Sequence, residues 1–68
     1  MNEETFNLSI RKFLKVVGVS SQREIEQAVS KALADGKIAG TEHFPVSVIL
    51  ELPGVQLNVR FDGEIHLE

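Results

Sequence analysis

His43 and His66 are the only imidazoles in this chain, and the side chains that read as an acid-base cluster are those of Asn58, Arg60, Glu64 and His66. A zinc-class site needs three or four converging nitrogen, oxygen or sulfur donors. The chain has no cysteine, and neither histidine stands at helical ligand spacing from the other, so the spacing assigns no metal, no cofactor and no catalytic residue. Asn58, Arg60, Glu64 and His66 instead fall on the outer face of an expected sheet, where they read as solvated cross-strand neighbours. No phosphate-binding glycine loop, nucleophile elbow or zinc-protease motif is present. The expectation is a protein that is not an enzyme.

Three other groups of residues bear on partners. Leu8, Arg11, Lys12 and Lys15 fall within about 100° of one another on a helix turning 100° per residue, a small basic patch with an apolar centre that reads as a solubilising charged face or suits a protein partner or an anionic polymer or lipid surface. Ser20, Ser21 and Arg23 stand where a second helix is expected to begin, a place at which free amides and the helix dipole favour an anion, although Ser21 and Glu24 form a capping box that uses those amides. Ile49 lies on the outer face of a strand whose edge carries no lysine, so that edge is open either to pairing with a second copy of the chain or to cover by the loop from Gly36 to Pro45.

Composition narrows the setting in which these groups act. Sixty-eight residues with a formal charge of −3 make one domain near the lower limit for a self-sufficient core. Without cysteine there is no disulfide staple, which a reducing cytoplasm permits. No apolar run has the length of a membrane span, and the acidic opening Met1-Asn2-Glu3-Glu4 is unlike a signal peptide, so a cytoplasmic location is expected. Residues 11–37 carry six bases and three acids, whereas residues 38–68 carry five acids and only Arg60. The overall acidity does not describe a dedicated nucleic-acid binder, but the basic helical face, with Leu8, Arg11, Lys12, Lys15 and Arg23, keeps a nucleic-acid or ribosome-associated role as the alternative.

The elements that must position these residues follow from periodicity. Phe6, Ile10, Phe13, Leu14 and Val17 form one stripe at 3.6 residues per turn, predicting a first helix over about residues 3–17 that begins at Asn2 or Thr5 and ends at Gly18. Ile25, Ala28, Val29, Ala32 and Leu33 form the stripe of a second helix over about 21–35, closed by Gly36. Val46, Val48, Leu50 and Leu52 alternate with polar residues, as do Val55, Leu57, Val59 and Phe61 across Pro53-Gly54. A two-residue turn there sets Leu52 against Val55 and Leu50 against Leu57. A bulged turn at Phe61-Asp62-Gly63 then sets Arg60 against Glu64 and Val59 against Ile65. These patterns predict an α+β domain in two layers, a helical hairpin packed on one face of a three-stranded antiparallel meander (ααβββ), with strands over about 46–52, 55–60 and 64–67.

The stretch MNEETFNLSIRKFLK followed by SQREIEQAVSKALADGKIAG resembles a family of very small bacterial, mostly proteobacterial, proteins catalogued as a domain of unknown function. The likeness spans the whole chain in length and layout and is most specific over residues 1–40. It implies a bacterial origin and assigns no chemistry to any residue. The expectation drawn from the sequence is a non-enzymatic protein-interaction module, with a protein partner or a homodimer formed through the strand edge at Ile49 or the helical face at Leu8.

Overall fold

A computed structural model describes residues 1–68. The chain divides into two compact units, Met1–Asp35 and Gly36–Glu68. The first is a single helix, α1, over Glu3–Ala34, about 48 Å long at 1.5 Å per residue. Asn2 caps it, its side-chain oxygen accepting from the Thr5 amide at 3.1 Å, with Glu3 and Glu4 in the first turn, where the dipole favours carboxylates. Asp35 donates its amide to the Lys31 carbonyl at 2.9 Å, and Gly36, at φ +71°, leaves the helix in the left-handed conformation that favours glycine.

The expected break at Gly18 does not occur, which corrects the helical hairpin to one continuous helix. Gly18 is absent from the left-handed region, and a Cβ placed on it would meet nothing within 4 Å. A glycine inside a helix costs about 1 kcal/mol relative to alanine. Breaking the helix there would leave roughly four amides and four carbonyls without intrahelical partners on the two sides of the break. With no proline to force the issue, continuity wins.

The second unit is a hairpin of two ten-residue strands, β1 over His43–Leu52 and β2 over Leu57–His66. Their antiparallel register runs without interruption from Leu52 opposite Leu57 to His43 opposite His66. The loop holds four residues rather than two. Pro53–Val55 form a 3-10 turn, the Gln56 amide donates to the Pro53 carbonyl at 3.1 Å, and Gln56 takes φ +53°. The reason lies in Pro53: two-residue hairpins need a positive φ at their first central position, and the proline ring holds φ near −65°. The register therefore moves by two residues from the expected one. A two-residue slip preserves the faces, so Leu50 still meets an apolar partner, now Val59, while Val48 meets Phe61 and Phe44 meets Ile65.

The third strand is also corrected. Asp62-Gly63 does not turn, and β2 runs straight through it, because lengthening β1 back to His43 supplies partners for Asp62, Gly63, Glu64 and Ile65. Arg60 consequently pairs with Asp62 along its own strand, Nε to Oδ1 at 2.8 Å, and not with Glu64. One face of the hairpin carries Phe44, Val46, Val48, Leu50 and Leu52 beside Leu57, Val59, Phe61 and Ile65, with Gly63 the only gap. No residue of the chain is buried. The expected core positions Phe6, Phe13 and Leu14 are about half exposed.

Candidate functional site

The backbone of the hairpin decides where its chemical groups stand. The Leu67 amide donates to the Glu42 carbonyl at 3.0 Å, so Glu42 and Leu67 form a hydrogen-bonded pair, and in an antiparallel ladder such pairs alternate with non-hydrogen-bonded ones whose side chains lie closer. By that alternation His43 with His66, Pro45 with Glu64, Ser47 with Asp62, Ile49 with Arg60, and Glu51 with Asn58 are all non-hydrogen-bonded pairs on the polar face. Pro45 thus loses no bond to β2 for want of an amide, which is how a proline fits inside this strand.

At the open end of the hairpin three side chains converge. The rings of His43 and His66 lie 4.1 Å apart, tilted by 43°. The Glu64 carboxylate is next to both, its Oε1 standing 3.5 Å from His43 Nδ1 and 3.6 Å from His66 Nε2. One donor atom from each of the three lies within 4.8 Å of the others. Each side chain is about half exposed, at 52%, 55% and 53% for His43, Glu64 and His66. Spacing along the chain could not reveal this cluster, because the histidines are far apart in sequence and meet only through the pairing register. An alternation of His66 with Glu64 on one strand face was the available signal.

Just before β1, the Glu42 carboxylate is enclosed by its own loop. It accepts from the amides of Ala39 at 2.7 Å, Gly40 at 2.8 Å and Thr41 at 3.1 Å. These donors, Ala39 foremost and then Gly40, hold the carboxyl below the usual carboxylate range. Gly40 adopts φ +102°, which lets consecutive amides point at one anion. The loop thereby satisfies its own amides and fixes the entry into β1.

The other residues singled out by sequence are distributed as follows. Leu8, Arg11, Lys12 and Lys15 lie together on α1, Leu8 exposed at 56%, and none of the three cations forms an ion pair. Glu4, Asn7, Leu8 and Arg11 line a shallow surface depression there. Ser20, Ser21 and Arg23 lie within the same helix, where backbone amides donate to carbonyls four residues back. The expected anion site is therefore corrected: no helix begins there and no free amides face a ligand. Ile49 is exposed at 59% on the polar face of β1, and β1 has a neighbour on one edge only. No helix is long and apolar enough to cross a membrane.

Comparison with curated proteins and with solved structures finds no match. The family likeness is shown over the entire sequence: a family model matches residues 1–68, and the chain belongs to DUF6494, a family of unknown function.

Proposed function

We propose that this chain is a non-enzymatic interaction module that assembles with a second copy of itself through the free edge of β1. The observation that carries the proposal is the absence of any buried residue in a chain that is 43% hydrophobic. Ordering a backbone costs about 1–2 kcal/mol per residue, and burial of apolar surface is the main term that offsets it. A two-stranded hairpin by itself is marginal in water. With no cysteine for a staple, oligomerisation is the remaining common route to stability in a chain of this size.

The ladder indicates how two copies would meet. Residues of β1 in non-hydrogen-bonded pairs direct their amides and carbonyls away from β2, so Ser47, Ile49 and Glu51 present the outer edge, while Pro45 lacks a donor and limits the pairing at one end. Antiparallel pairing centred on Ile49 sets that residue against its own copy and Ser47 against Glu51, the self-complementary arrangement a two-fold axis requires. Two hairpins joined this way become a four-stranded sheet with a continuous apolar face.

Sedimentation equilibrium over a wide concentration range, compared with Ile49→Pro, tests this. The substitution removes an outward amide and leaves every bond from β1 to β2 in place, so the expected result is a dimer for the parent and a monomer with an intact hairpin for the variant. A parent chain that stays monomeric at high concentration, or a dimer that survives Ile49→Pro, would exclude the edge contact.

A second reading has one observation in its favour. Arg11, Lys12 and Lys15 share a helical face, without ion-pair partners, around the exposed Leu8, and Arg23 lies about 12 Å further along the same helix by its rise per residue. A nucleic acid bound there would be released steeply as salt rises. A sheet-edge dimer would scarcely respond, which separates the two readings in one salt titration.

A further inference from the structure

We propose that His43, Glu64 and His66 form a binding site for a divalent transition-metal ion of the zinc class. Two imidazoles and one carboxylate make up a donor set used by zinc, and by other first-row metals. The argument from geometry is direct. Metal bonds of 2.0–2.1 Å at tetrahedral angles place neighbouring donors about 3.3 Å apart. Glu64 Oε1 stands 3.5 Å from His43 Nδ1 and 3.6 Å from His66 Nε2, two of the three separations thus within a few tenths of an ångström of that value, and the donor atoms of all three residues lie within 4.8 Å of one another. The remaining adjustment falls to side chains that are half exposed and free to rotate, while the backbones beneath them are held by the ladder up to the bond between Leu67 and Glu42.

The two rings lie side by side with centroids 4.1 Å apart, close enough for one ion to meet a nitrogen of each. A divalent cation accepts both neutral rings and the carboxylate at once. Neither ring donates its far nitrogen to another protein group, so the outer support usual for tightly held metals is missing, and three protein ligands leave a position open for water. The site is thus of the exchangeable kind rather than a closed structural one.

Titration of the untagged full-length chain with Co²⁺, read by visible absorption, and with Zn²⁺, read by calorimetry, tests the proposal at a pH where histidine is neutral. The expected result is one equivalent per chain, with His43→Ala and His66→Ala each weakening binding by at least about tenfold, as loss of a direct ligand should exceed the effect of losing an outer-shell partner. Amide spectra of the variants establish that the hairpin persists. The site lies within one hairpin, so binding should also persist in Ile49→Pro; failure of the dimer and failure of the metal site are then separate results. Absence of binding by the folded parent chain at submillimolar metal, or binding unchanged by both histidine substitutions, would overturn the proposal.

Discussion

The helix and the hairpin are both amphipathic and both without a buried residue, yet they are specified in different ways. In α1 every interior backbone bond joins residues four apart, so the element extends wherever no residue stops it, and one glycine at position 18 does not. In the hairpin the paired residues lie from five apart, at Leu52 and Leu57, to twenty-five apart, at Glu42 and Leu67, so a single turn residue, Pro53, sets the partner of each residue on both strands. Charge divides them as well. Met1–Asp35 carries five basic and five acidic residues, whereas Gly36–Glu68 carries two basic and five acidic residues together with both histidines. Local elements tolerate a weak residue, while non-local ones transmit the constraint of a single position along their whole length. The potential metal ligands belong to the second kind, and the basic face with Leu8, Arg11, Lys12 and Lys15 to the first.

The comparison breaks most visibly at Gly18. Gly18→Pro removes an interior helix bond and should cost about 3 kcal/mol, lowering helix content by far-UV circular dichroism. Gly18→Ala should do the opposite and raise stability by about 1 kcal/mol, because no atom obstructs the added Cβ. Were Gly18 a left-handed helix terminator, alanine there would destabilise instead, so the sign of the change distinguishes one helix from two.

Gly63 provides the matching test in the hairpin. In a continuous β2 its added Cβ would meet Val46 Cγ1 at 3.5 Å, an ordinary contact, and Gly63→Ala should gain about 0.5–1 kcal/mol from the reduced freedom of the unfolded chain. A bulged turn with Gly63 in the left-handed position would be destabilised by the same change. Urea melts at one fixed chain concentration give both signs, since assembly makes stability depend on concentration.

The smallest effect is expected at Glu42. Its carboxyl is held below the usual range by the Ala39 and Gly40 amides, so the loop gains stability from the ionised form. That contribution is complete above the ordinary carboxylate range and is lost as pH falls through the lowered value. The Ala39 and Gly40 amide resonances should therefore hold steady through the usual carboxylate range and move only below it. Movement within the usual range would show that these bonds do not form in solution.

Part of the architecture is legible in the residues themselves. The cap at Asn2, the exit at Gly36 and the alternation of Val46, Val48, Leu50 and Leu52 all follow from local chemistry: α1 begins just after Asn2 and ends before Gly36, and the four apolar residues fall within β1. Gly18 and Asp62-Gly63 carry equally familiar stop and turn signals, and neither acts as one. A glycine permits a break without imposing it, and the Asp62-Gly63 turn was outweighed by cross-strand partners supplied when β1 reached back to His43. Ser20, Ser21 and Arg23 changed meaning with the first of these outcomes, and Arg60 changed partner with the second.

By itself, therefore, the sequence determined the faces: which side of each element is apolar, where the cations gather, and that the hairpin has one polar side. Those properties repeat every 3.6 or every two residues and need no knowledge of what lies opposite. Only the folded chain decided the pairing. His43 reaches His66 and Glu64 because the four-residue loop after Leu52 sets the register of both strands, and a ladder propagates that choice over ten residue pairs.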